Sequence, residues 1–464
     1  MKRKSVPAFL PSSAALSSLA LNLAFLLAGC PARGEGLAVV PDPHTHHDTA
    51  SSGDTEPPPT PPTGRSPTDD ESRAIRPLLR AAERVRGLRF AHDVPVRIQT
   101  PEEIVAFVQS RLDEHELEHA RVFYVAIGLL PADLDVRQML LDVMGEQIVG
   151  FYDPDSGTMV LRDDVARELR ALDSAGRDVT SGSTAIVLVH EYVHALQDQQ
   201  LELGAHYHFA EGHRERSGDE ANAFASLVEG DATLAMIGWL AQASGAHLSE
   251  LTRDPSILRD RISPEAMAGG GPELARAPAI VRAPLLSRYF DGMTFCAALH
   301  ARGGFRIVDA AHRDPPTTTE QVLHPDRYFA HEEGTVITIP ALPELVALGF
   351  TPHDEDTLGE LELSVWLALG TDHDRDASAG AGWGGDRLRV YRDANGATCS
   401  VWWTLWDDEA EAVEAESAAT RVATQLAGTH VRRAGRALAI TIGAPDGALP
   451  SIDAAFDSFA TSPR

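Results

Sequence analysis

In the stretch Val187-Leu188-Val189-His190-Glu191-Tyr192-Val193-His194-Ala195-Leu196-Gln197-Asp198, two histidines stand four residues apart inside an apolar run. Positions i and i+4 of a helix share a face, so His190 and His194 can offer two imidazole nitrogens to one Zn²⁺. Glu191, beside the first histidine, is placed to take a proton from an activated water and return it to a leaving group. Imidazole is a neutral ligand that leaves zinc Lewis-acidic, and glutamate has the reach and basicity for the base. Ser183 or Thr184 can cap this helix, which is expected to run to about Leu203. The rival reading is a helix with two surface histidines.

A catalytic zinc needs a third protein ligand. Gln197 and Gln200 occupy the positions where the metzincin extension needs a glycine and a ligand, so that class is excluded. Downstream, Leu227-Val228-Glu229-Gly230-Asp231-Ala232 lies in a second helix able to start at Ser217 or Asp219, with Ala221, Phe224, Ala225, Val228 and Ala232 at helical spacing. A carboxylate on so apolar a stretch is costly to bury without a cation, which favours Glu229 as third ligand. Glu220 and the loop histidines His206, His208 and His213 remain alternatives.

The phrases 150–154 (GFYDP), 190–199 (HEYVHALQDQ), 227–233 (LVEGDAT), 316–328 (PTTTEQVLHPDRY) and 382–387 (GWGGDR) resemble a family of uncharacterised bacterial HExxH–EGDA proteins, similar to gluzincin-type zinc metallopeptidases. The resemblance runs from about residue 76 to the C-terminal region. It implies an α+β fold: a mostly helical, zincin-like catalytic domain over 76–375, with a small twisted sheet on the active-site helix and Glu229 on the next helix.

The strand preceding the active helix in such enzymes pairs with extended substrate, and 146–152 (EQIVGFY) is the candidate, turning through 153–157 into a partner strand at 158–162. His324 and Tyr328 are the candidate donors to a tetrahedral oxyanion, with Tyr152 a weaker one. Asp198, one turn after His194, is a candidate to orient an imidazole. Helices are expected at about 101–117, 132–145, 285–302 and 358–369. After the Gly-rich 379–385, a small α/β module with the order ββαββα is expected over 376–464. Its hairpin turns at Asp393-Ala394-Asn395-Gly396, and Trp383, Trp402, Trp403 and Trp406 are expected to pack its core.

The 464 residues carry 68 acids against 40 bases, a net charge of −28, which argues against gripping nucleic acid phosphates. Both lysines fall in Met1-Lys2-Arg3-Lys4, followed by the apolar run 14–27 and Leu27-Ala28-Gly29-Cys30. This reads as a signal peptide over 1–29 that resembles a bacterial lipoprotein signal, with Cys30 acylated as a membrane anchor. The acidic body is expected to be repelled by anionic headgroups, leaving membrane affinity to the acyl chains. Residues 30–75, rich in Pro, Thr and Ser and including His44, His46 and His47, read as an unfolded tether. Cys296 and Cys399 would then lie outside the cytoplasm, where they can pair.

The expected function is a lipid-anchored extracytoplasmic zinc peptidase acting on protein or peptide. Its rivals are an inactive envelope lipoprotein that keeps the fold for binding or assembly, and a zinc amidase of cell-wall peptides.

Overall fold

The computed structural model describes residues 62–181, 183–201, 216–255, 258 and 272–461. Cys30, the histidines of the expected tether and His206, His208 and His213 lie outside the described residues. The chain is α+β, with helices forming the body and two small sheets.

Helix α1 (Asp69–Arg86) begins seven residues before the expected start of folded sequence, inside the segment read as tether. The physical reason is local. Thr68 accepts from the Glu71 backbone N–H while the Glu71 carboxylate accepts from the Thr68 N–H, a reciprocal cap. Arg65 adds a bidentate pair that holds the Glu71 carboxyl down at about 2. The inner face, including Ala74, Leu78, Ala81 and Val85, is buried, and Gly87 ends the helix with φ of 77°.

Strand β1 (Val96–Gln99) follows, then α2 (Pro101–Arg111), α3 (Glu114–Ala126) and α4 (Val136–Gln147). The expected single helix over 101–117 is broken because Asp113 turns its carboxylate onto the Glu116 N–H and starts a new helix. Strands β2 (Gly150–Asp153) and β3 (Thr158–Arg162) form the expected hairpin, although α4 takes residues 146 and 147 from the expected first strand. The sheet order is β1-β3-β2, with β1 parallel to β3 and β2 at an edge.

Beyond α5 (Asp163–Ser174), three helices build the centre: α6 (Ser183–Leu201), α7 (Gly218–Ala243) and α8 (Ala279–Gly303). Ser217 caps α7 by accepting from the Glu220 N–H. Helix α7 is long and apolar enough to cross a membrane, but 83% of its most apolar window is buried inside the protein, as in a core helix. It crosses α8 where Gly230 meets Gly292. A Cβ on Gly230 would stand 2.2 Å from the Gly292 backbone, and one on Gly292 would stand 2.2 Å from the Ser226 carbonyl oxygen. Only two glycines permit this approach, which carries Glu229 and Tyr289 toward each other.

After α9 (Phe305–Arg313), the C-terminal sheet has the order β4-β5-β6-β8-β7, built from β4 (Thr351–Asp356), β5 (Trp383–Arg392), β6 (Thr398–Trp406), β7 (Thr429–Ala434) and β8 (Ala437–Ile442). Helices Glu409–Ala423 and Leu449–Ala460 complete the ββαββα order. Strand β4, before residue 376, pairs antiparallel with β5, and the helix Gly359–Leu367 also packs against β5. The four tail tryptophans are all buried, and Trp383 and Trp402 donate to the Asp386 carboxylate at 3.0 and 2.8 Å. Trp366 and Trp402 share one apolar cluster with Phe123, Leu227 and Met293, so no gap in packing separates the module from the helical body. Cys296 and Cys399 are both free and buried, in different apolar clusters, and do not pair.

Gly230→Ala is expected to lower the unfolding free energy by about 1–3 kcal/mol through overpacking at the α7–α8 crossing. Thermal and denaturant unfolding measure it, and an unchanged midpoint would show that the helices part at no cost.

Candidate metal centre

His190 and His194 project from one face of α6 into the protein, 2% and 8% exposed. Their Nε2 atoms are 3.0 Å apart. From α7, Glu229 brings one carboxylate oxygen to 3.1 Å from His190 Nε2 and 3.5 Å from His194 Nε2. Ligands about 2.0–2.1 Å from a tetrahedral cation stand about 3.3 Å from one another, so this triangle has the right size for one. Burial lowers the His194 pKa, yet the Glu229 charge with Glu191 behind it outweighs burial and raises it to about 9. Burial would raise the Glu229 pKa, and the two imidazoles hold it well below the usual carboxylate range instead.

The tautomer of His194 is set from behind. Its Nδ1–H donates to Gln197 Oε1 at 2.8 Å, so the proton that a bound cation would displace is the one on Nε2. The Gln197 amide has one orientation because its Nε2 donates to the Val228 carbonyl at 3.0 Å and to Asp231 at 2.9 Å. Asp231 is in turn held by His312 Nε2 at 3.0 Å and by Arg86 at 2.7 Å, and Arg86 also reaches Asp309. Arg86, Gln197, Asp231 and His312 are each 1% exposed or less. A continuous buried polar chain therefore runs from α1 to the imidazole.

Glu191 is 3% exposed and its Oε2 accepts from the backbone N–H of Tyr152, on the edge strand β2, at 3.0 Å. Its other oxygen is buried without a hydrogen-bond partner among the described residues. A Glu191 oxygen and a ring nitrogen from each histidine lie within 4.8 Å of one another. That arrangement places a carboxylate beside the cluster, where a water can be deprotonated. Tyr289 of α8 packs its ring 5.9 Å from that of His190 and turns its hydroxyl toward Glu229, without a well-formed hydrogen bond. Burial first, then the Glu229 and Glu191 charges, raise its pKa well above the ordinary phenol value, so it stands there as a proton-bearing donor.

The remaining sequence candidates go elsewhere. Glu220 lies in the first turn of α7, 3.8 Å from Arg216. Asp198 accepts from the Tyr152 hydroxyl at 2.6 Å, and the partner of His194 Nδ1 is Gln197. His324 bonds Glu360 at 2.9 Å, and Tyr328 donates to the Asp314 carbonyl at 2.8 Å while packing on Phe295 and Phe329. Both are thus engaged by partners other than the cluster. Gln197, Asp231, Arg86, His312 and Tyr289 carry no role in the sequence reading. The apolar context of Asp231 was a usable signal of a buried charge, whereas Tyr289 has no local pattern that marks it.

Residues 346–451 match the family model described as Domain of unknown function (DUF8575), which covers the C-terminal sheet and not the cluster. No curated protein and no solved structure matches the chain.

Asp231→Asn removes the charge that offsets buried Arg86, so a loss of about 3–5 kcal/mol in unfolding free energy is expected. A loss below about 1 kcal/mol in denaturant titrations would show that Asp309 alone satisfies the guanidinium.

Proposed function

We propose that His190, His194 and Glu229 hold a catalytic Zn²⁺ in a lipid-anchored, extracytoplasmic peptidase of the gluzincin type, its helical body being zincin-like. The observation that carries this reading is the third donor. A carboxylate from a separate helix meets both imidazoles of HExxH at 3.1 and 3.5 Å, with the His194 tautomer already fixed for ligation. A Zn²⁺ held there supplies Lewis acidity, polarising a scissile carbonyl and acidifying a water.

The chain's own residues supply the rest. Glu191 takes a proton at its unpartnered oxygen and later delivers it to the leaving amine, while the Tyr152 N–H fixes its other oxygen. Tyr289 takes the oxyanion-donor role in this reading, its ring lying 5.9 Å from that of His190, while His324 and Tyr328 bond Glu360 and the Asp314 carbonyl. An extended peptide can add to the sheet alongside β2, which brings its backbone past Glu191. The presence of a placed base favours catalysis over a binding relic, and a peptide laid along β2 suits a protein substrate.

With zinc-loaded protein and an unfolded protein substrate, Glu191→Gln is expected to keep about one zinc per chain and lose at least about a hundredfold in kcat. Tyr289→Phe is expected to keep the metal and lose about a hundredfold or more in kcat, with KM little changed. Full activity of Glu191→Gln would end the proposal.

A further inference from the structure

The outer face of α1 runs against the acidic character of the chain. Arg73, Arg76, Arg80 and Arg84 are all exposed and fall within an arc of about 80°, spread over about 16 Å of helix. Arg73 is engaged by Asp70 and Asp173. For Arg76, Arg80 and Arg84, no acid pairs with them among the described residues. Residues 62–99 carry eight arginines against five acids, +3 in a chain of −28 overall. Beside the stripe lies a mixed groove of about 630 Å³, whose walls include Arg76 and Arg80, the acids Glu83 and Asp93, and the apolar Leu79 and Phe90. A row of guanidinium groups with no acid partner among the described residues matches the phosphates of an anionic headgroup layer.

Position in the chain points to the same partner. The Thr68 cap of α1 lies 38 residues after Cys30. Thirty-eight residues span at most about 130 Å, so an anchor at Cys30 keeps α1 within that distance of the bilayer.

We infer that the Arg76–Arg80–Arg84 face of α1 docks the body onto an anionic phospholipid bilayer, the membrane that holds the Cys30 anchor. This rests on the lipid-anchor reading and departs from the expectation that the whole body is repelled by anionic headgroups. The inner face of α1 packs on α6 and α7. Docking therefore sets the helix of His190 and His194 about 10 Å, one helix layer, above the lipid-facing helix.

The test uses the mature chain from residue 30 with Cys30→Ser, so that no acyl group contributes. Binding is titrated with phosphatidylglycerol–phosphatidylcholine vesicles and with phosphatidylcholine vesicles. Each basic residue at such a surface is worth about fivefold in partitioning, so the triple variant Arg76→Gln/Arg80→Gln/Arg84→Gln is expected to bind the anionic vesicles about a hundredfold more weakly. A control variant, Arg253→Gln/Arg306→Gln/Arg313→Gln, is expected to bind like wild type, and 1 M salt is expected to abolish the difference. Equal binding to both vesicle types, or equal losses in the two triple variants, would overturn the docking face. Failure of the anchor itself would instead show as an unmodified Cys30 in the mass of the wild-type protein, a result independent of this titration.

Discussion

Burial of the Glu229 carboxylate between two imidazoles is the constraint around which the centre of the molecule is arranged. An ionised carboxylate at 1% exposure is tolerable only with positive charge or a cation beside it. To bring it there, α7 must run close to both α6 and α8. The α8 contact is made possible by the bare backbone at Gly230 and Gly292. The four residues Glu229-Gly230-Asp231-Ala232 then have separate physical tasks: a donor, a close helix crossing, a buried ion pair with Arg86, and a small apolar contact in the core beneath α6.

That ion pair explains why the N-terminal helix belongs to the body. Arg86 closes the last turn of α1 and ends the polar chain through Asp231 and Gln197 to His194. A guanidinium fully removed from water is costly, and its compensation by Asp231 and Asp309 locks α1 onto α7 and α9. The same helix presents its arginines outward, so one element couples the geometry of the cluster to the surface proposed to meet the membrane.

Much of this was legible in the sequence wherever the signal was local. The i,i+4 histidines, the Ser217 cap and the β2–β3 hairpin announce themselves within a few residues, as does the Asn-Gly turn, with Gly396 at φ of 87°. What escaped depended on distant partners. The strand β4 reads as Thr-Pro-His-Asp-Glu-Asp, polar and half-exposed, and is a strand only because β5 lies beside it. The start of α1 was hidden because its cap sits in a Pro- and Thr-rich stretch. His324 and Tyr328 stood out as polar residues in a motif, but Glu360 and the Asp314 carbonyl engage them. Tyr289 looked like one more aromatic on an apolar helix, and only the α7–α8 crossing turns it to Glu229.

The most direct measurement is zinc affinity by competition with a chromophoric chelator, on wild type, Glu229→Gln and Glu220→Gln. Glutamine keeps the size of the side chain and removes the anionic ligand. The account predicts about one zinc per wild-type chain, binding at least about ten- to a hundredfold weaker in Glu229→Gln, and wild-type affinity in Glu220→Gln. Zinc held equally well by Glu229→Gln and wild type would contradict it.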